Sequence, residues 1–339
     1  MSRTTKMLAG ITLAAMLPAS ALAEGEINIY SSRHYDTDER LYSDFTEKTG
    51  IVVNRIEGKA DELIARLEAE GANSPADLLL TVDAGRIWRA DQAGLLAPVD
   101  SDVLNSRIPD YLRHPDGHWF GFSQRARIIF YDKNDVSDPP LTYAALADPA
   151  YKGKVCTRSG SNIYMLSLMA AQIEHLGAEE AKAWATGLWN NRAREPQGGD
   201  TDQLRAIISG ECDIVVSNTY YFARAIAKPV KGVTEGMEQI GWVFPDQSGN
   251  GAHVNISTGA LLANAPNKDN AVKFLEYLTS ESAQEYFSNG NNEYPAVPGV
   301  ALGAPVAKLG LFRQDDIPLN VFGQNQGEAQ ALYDEIGYK

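Results

Sequence analysis

Gly210-Glu211-Cys212-Asp213-Ile214-Val215-Val216-Ser217-Asn218-Thr219-Tyr220-Tyr221-Phe222-Ala223-Arg224 is the stretch from which the organisation of the chain can be read. Cys212 to Val216 is a short β-branched run and predicts a strand. Ser217-Asn218-Thr219 is a cluster of helix N-cap residues, and Tyr220 and Tyr221 open a helix. Two adjacent phenols therefore stand just past the carboxyl end of a strand. In open α/β sheets that edge is where ligands bind, and the amino end of a helix favours negative charge, including that of a phenolate.

The same strand-then-helix order fills the chain on the amino-terminal side. Strands are predicted at Ile27 to Tyr30, Ile51 to Ile56 and Ala76 to Val82. They alternate with helices at Asp38 to Lys48, Asp61 to Glu70 and Ala84 to Ala93. Gly50 and Gly71 close the first two helices, and the unbroken apolar run of the third strand suits a strand buried on both faces. After Leu95 the rhythm breaks at Pro98, Pro109 and Pro115; His118 to Gly121 and Arg125 to Tyr131 then read as extended strands, the second a crossover.

Beyond Pro139-Pro140 a second series begins. Lys154 to Thr157 is a strand, and Tyr164 to His175, Glu179 to Asn190 and Thr201 to Ser209 are helices. Cys212 to Val216 and Gly241 to Pro245 add strands, and the Gly-rich stretch from Gly249 to Gly259 returns the chain to the first unit. Lys268 to Thr279 and Ser282 to Phe287 are helical, and a proline-punctuated link follows. The expected architecture is α/β: two doubly wound lobes joined by a hinge, a first lobe of residues 24–126 and 251–301 and a second of 127–250 and 302–339.

The first residues read as a targeting signal rather than as fold. Arg3 and Lys6 precede an apolar run from Met7 to Leu17, and Ala21-Leu22-Ala23 is a small-x-small cleavage pattern, with cutting expected after Ala23. The predicted mature protein is exported to a periplasm. Loss of Arg3 and Lys6 takes the formal charge from −14 to −16, which disfavours nucleic acid as a partner and favours a cation as cargo. Cys156 and Cys212 lie on neighbouring strand candidates and, in an oxidising compartment, are expected to pair.

What makes the tyrosine pair a candidate site is repetition. His34-Tyr35 lies between the first strand and its helix, capped by Thr37. Tyr164 follows the strand at Val155-Cys156 and the loop Arg158-Ser159-Gly160-Ser161-Asn162. Closing two lobes face to face would bring Tyr35, Tyr164, Tyr220, Tyr221 and the imidazole of His34 to one point. Hard, highly charged cations prefer oxygen donors, and only such an ion, helped by helix dipoles, deprotonates several phenols whose ordinary pKa is about 10. The expectation is Fe(III), with Arg33 or Arg125 balancing the excess negative charge. Glu57 and Asp83, at the ends of the second and third strands, are secondary candidates as ligands. His114 and His118 read as a turn rather than as a zinc site, and His175 as a partner of its own helix's last carbonyls.

Several of these segments together carry a resemblance. They are Ile29-Tyr30-Ser31-Ser32-Arg33-His34-Tyr35, Ser74-Pro75-Ala76-Asp77, Arg125-Ala126-Arg127 with Tyr131-Asp132, Leu146-Ala147-Asp148-Pro149 with Tyr151-Lys152-Gly153-Lys154, and Asn218-Thr219-Tyr220-Tyr221. The sequence resembles the periplasmic ferric-iron-binding proteins of bacterial ABC importers, the bacterial transferrins, within the type II periplasmic binding-protein fold. The resemblance implies that Tyr220, Tyr221 and His34 are ligands and that Arg125 lies beside the ion. Some members add a glutamate after the third strand; Val82 stands there in this chain. Tyr35 and Tyr164 make the chain similar to the branch with several tyrosines. It further implies a monomeric, non-enzymatic receptor for ferric ion that delivers to an inner-membrane permease. Two other functions fit the architecture less well: a receptor for a small organic cation such as a polyamine, with the tyrosines as an aromatic box, and a secreted hydrolase, for which no nucleophile and base pair stands out.

Overall fold

The computed structural model describes residues 25–33 and 38–339. The predicted signal segment, and His34 and Tyr35 with their Thr37 cap, lie outside the described residues. In the first half of the chain, β1 (Glu26–Ser31), α1 (Glu39–Thr49), β2 (Val52–Glu57), α2 (Ala60–Glu70), β3 (Leu78–Val82) and α3 (Ala84–Gln92) follow one another as expected. Gly50 ends α1 in the left-handed region at φ 72°, and Leu41, Tyr42 and Phe45 form that helix's buried face. α4 (Asp102–Arg107) starts at Ser101, whose hydroxyl accepts from Leu104 N.

The next strand departs from expectation. Instead of two strands, Phe120–Asp132 forms one 13-residue strand, β4, with a register irregularity between Gly121 and Ser123. The polar Phe122-Ser123-Gln124 segment looks like a break in the sequence, yet its side chains are satisfied inside the sheet. Ser123 Oγ donates to Glu293 at 2.5 Å and Gln124 Nε2 to the Pro295 carbonyl at 3.2 Å.

The second half contributes β5 (Val155–Cys156), α5 (Ile163–Leu176), α6 (Ala178–Asn190), α7 (Asp200–Ile208), β6 (Ile214–Asn218), α8 (Thr219–Ala227) and β7 (Ile240–Val243). The chain then forms β8 (Val254–Leu261), α9 (Lys268–Leu278), α10 (Glu281–Asn289), β9 (Tyr294–Pro295), α11 (Ala304–Leu309), α12 (Val321–Gln324) and α13 (Gln326–Glu335). Cys156 and Cys212 form a disulfide, their Cα atoms 5.9 Å apart, across the parallel β5–β6 pair.

Among the described residues the strands run β2-β1-β3-β8-β4-β6-β5, with β7 and β9 also on β4. β1 pairs parallel with β2 and β3, whereas β8 is antiparallel to both β3 and β4. From Phe120 to Ala126, β4 pairs with β8; from Arg127 to Tyr131 it pairs with β6, and from Ile129 to Asp132 with β7. One strand thus serves both lobes. In its second half, Ala126, Ile128 and Phe130 enter one apolar cluster and Ile129 another, so this part of the sheet is buried on both faces. The first lobe has its own core around Ile27, Ile29, Phe45, Leu79 and Phe274. α12 lies between α3 and α5, touching both.

Candidate metal centre

Two helix starts converge in the second lobe. At α5, Asn162 caps the helix, its Oδ1 accepting from Tyr164 N at 3.1 Å, which sets Tyr164 in the first turn. At α8 the strand continues through Asn218, and Tyr220 and Tyr221 occupy the first turn directly behind it. The expected Asn218 cap does not form: its Oδ1 accepts from Arg127 instead, at 3.1 Å.

These two turns bring the phenols together. The hydroxyls of Tyr164 and Tyr220 are 3.3 Å apart, and the Tyr220 and Tyr221 rings stack with centroids 4.1 Å apart. Tyr164 and Tyr220 are buried and Tyr221 is half-buried. Two phenol oxygens at that spacing, each at the amino end of a helix, are two of the oxygen donors a hard cation needs. His34 and Tyr35 lie outside the described residues, whereas Arg33 before them and Asp38 after them are described.

Three arginines surround the tyrosine cluster. The Arg158 and Arg127 guanidinium carbons lie 5.9 and 5.8 Å from the Tyr164 ring centre, and that of Arg224 lies 5.4 Å from the Tyr221 ring centre. Arg127 and Arg158 both bond Asp200, at 2.8 and 3.0 Å, leaving one net positive charge on a chain of three groups. Burial works against the charge on Arg158, but Asp200 and the oxygens of Tyr221 and Tyr164 outweigh it, and its pKa is raised. The sequence pointed instead to Arg33 and Arg125. Arg33 is fixed bidentately by Asp38, and Arg125 bonds Ser257 at 2.7 Å and Glu293 at 3.3 Å. Arg158 stands in the loop before Tyr164, but Asp200 and Arg127 come from two other elements, and no local signal in the sequence joins the three.

The secondary carboxylates have other roles. Glu57 is exposed and pairs with Arg55. Asp83 is fully buried at φ 81°, accepting from Gly85 N at the start of α3, from Asn255 Nδ2 at 2.7 Å and from Ser167 Oγ at 2.7 Å. Burial pushes its pKa up against those hydrogen bonds and the charges of Arg86 and Arg125. Asp83 therefore links β3 and α3 of the first lobe to α5 of the second. His175 meets Asp315 at 2.7 Å rather than its helix carbonyls.

Comparison with known proteins follows the same line. The bacterial extracellular solute-binding protein family model matches residues 40–314. Iron uptake protein A1 of Synechocystis sp. is 49% identical over 93% of this chain and 88% of that protein. The major ferric iron-binding protein of Neisseria meningitidis is 29% identical over 88% of this chain and 89% of that protein. A Trichodesmium protein solved in complex with iron and citrate ligands is 50% identical, with a TM-score of 0.89 over 93% of this chain and all of that one. The ferric binding protein of Campylobacter jejuni aligns with a TM-score of 0.87 at 41% identity, over 92% of this chain and all of that one.

Proposed function

The chain belongs to the bacterial extracellular solute-binding protein family, and from that membership we propose a two-lobed receptor that captures Fe(III) between its lobes and delivers it to an ABC permease. The observation that carries the choice of cargo is the 3.3 Å approach of the Tyr164 and Tyr220 hydroxyls, with Tyr221 stacked beside them. The same cation is supported by relatives that include an iron uptake protein, a ferric iron-binding protein and a protein solved with iron and citrate.

Tyr164, Tyr220 and Tyr221 serve as phenolate ligands from the second lobe, and Tyr35 and His34 complete the set from the first. Each phenol must lose a proton of ordinary pKa about 10. The trivalent ion supplies most of the driving force, and the helix ends with Arg158 and Arg224 add to it. Arg125, held by Ser257 and Glu293, steadies the first-lobe edge near the ion without touching it. Because every ligand must shed or withhold a proton, affinity falls on acidification.

In this reading residues 24–126 and 251–301 form the first lobe and 127–250 and 302–339 the second. The mature chain, cleaved after Ala23, works in the periplasm as a monomer, and it releases its cargo chemically unchanged. The test is metal analysis with a visible spectrum on the protein and on Tyr220→Phe with Tyr221→Phe, which keeps both rings. The native protein should bind one Fe(III) and absorb visible light through phenolate-to-iron charge transfer. A weaker, shifted band and a loss of roughly a hundredfold or more in affinity are expected in the variant, given that metal sites lose 10–100-fold even for outer partners. Unchanged colour and stoichiometry would remove the pair from the ion's ligands.

A further inference from the structure

Away from the tyrosines, a second cluster of ligand-type side chains is assembled on the first lobe. Asp91 stands on the last turn of α3, while His114 and His118 flank a tight turn leading into β4. His118 Nδ1 lies 2.6 Å from one Asp91 oxygen, and His114 Nε2 lies 3.5 Å from the other. The two imidazoles stack face to face, centroids 4.6 Å apart and planes within 5°. Ligand atoms of all three residues fall within 4.8 Å of one another. Asp91 lies eight residues along α3 from Asp83, about 12 Å of helical rise, so this cluster is distinct from the lobe-facing edge.

The geometry points to a second metal site: Asp91, His114 and His118 form a three-ligand seat for a divalent first-row cation of the zinc class. Two imidazoles and a carboxylate suit such an ion, and not the phenolate-preferring Fe(III). Ligands about 2.1 Å from a tetrahedral centre stand about 3.4 Å apart. The carboxylate-to-imidazole spacings bracket that value, and each ring turns out of the stack to bring the ion into its plane. On its other side His114 borders a cleft of about 340 Å³, together with Tyr111, Trp119 and Asp316.

The turn is rigid enough to present both rings. His114 N donates to the Trp119 carbonyl at 2.9 Å and Gly117 N to the His114 carbonyl at 3.0 Å. Gly117 adopts φ 73°, and a Cβ there would meet the Val99 carbonyl oxygen at 2.5 Å. Without the ion, His114 Nδ1 accepts from Asp116 N at 3.1 Å, which leaves its proton on Nε2 facing Asp91.

The experiment uses the full mature chain with Zn(II) alone and, as a coloured probe, Co(II) alone. Calorimetry should find one Zn(II) per chain in the native protein and in Tyr220→Phe with Tyr221→Phe. His118→Gln and Asp91→Asn should each lose at least roughly tenfold in affinity. X-ray absorption at the zinc edge of the native chain, which needs no variant, should show two imidazoles. One imidazole or none, equal Zn(II) affinity in the His118 and Asp91 variants, or loss of Zn(II) on removing the tyrosine hydroxyls would each overturn the proposal. Because the readout uses Zn(II) and survives removal of the tyrosines, failure of the ferric reading and failure of this site are distinguishable.

Discussion

Arg158 is the residue on which the electrostatics of the tyrosine cluster turn. It sits over Tyr164 and bonds Asp200 at 3.0 Å. Replacing it with Gln removes a nearby cation while keeping much of its length. The expected result is roughly tenfold weaker Fe(III) binding, about 1.4 kcal/mol, read by competition with citrate. Equal competition in both proteins would place Arg158 in structure alone. His253 offers a different residue-scale test. It is buried against Phe322, its Nδ1 has no hydrogen-bond partner, and burial, then Arg127 and His175, depress its pKa from 6.5 to about 3. A depressed histidine is neutral in the fold but protonates in the unfolded chain below about 6.5. Stability is therefore complete above that pH and lost as pH falls toward 3, by up to roughly 5 kcal/mol. His253→Phe should flatten the acid limb of a urea-unfolding series; an identical acid limb would mean that other groups set it.

At the scale of elements, the turn entering β8 is the place where a single methyl group should be felt. Gly251 adopts φ 101°, and a Cβ there would meet the Gln314 carbonyl oxygen at 2.4 Å, backbone that Ala252 binds on both sides. Gly251→Ala is expected to cost about 2–4 kcal/mol through strain and forced backbone movement. Gly249→Ala is the control, since its Cβ would come no closer than 3.7 Å to a neighbour. Urea midpoints that moved equally would show the turn to be tolerant. Most elements were legible from the sequence because glycines, caps and apolar periods mark them locally, as Gly50 does for α1 and the apolar run does for β3. Where prediction failed, tertiary partners decided. The polar middle of β4 is satisfied by Glu293 and Pro295, and the strand before Tyr164 is held to two residues at β5. The same holds for the site: the tyrosines announce themselves by position, whereas the Arg127–Asp200–Arg158 chain joins three distant segments. His118 gave no sign of Asp91, 27 residues earlier, until the fold brought them together.

For the whole molecule, the claim with most at stake is that the ion draws the two lobes together. The strand β4 is shared, and Tyr143 ties it to the returning chain, its hydroxyl donating to the Arg127 carbonyl at 2.6 Å and accepting from His253 N at 3.0 Å. In the proposed reading, closure is therefore a rotation of the lobes about this shared strand rather than their separation. Ligands from the second lobe alone would bind iron without requiring any motion; ligands from both make binding and closure one event. His34→Ala with Tyr35→Phe should therefore separate them. The native protein is expected to lose radius of gyration in solution scattering when Fe(III) is added. The double variant should still acquire colour from Tyr164, Tyr220 and Tyr221 but keep its iron-free radius, and hold the ion roughly a hundredfold less tightly by the loss of two ligands. Iron-dependent contraction of equal size in both proteins would show that closure is driven by contacts other than those two side chains, such as the Asp83–Ser167 hydrogen bond between β3 and α5.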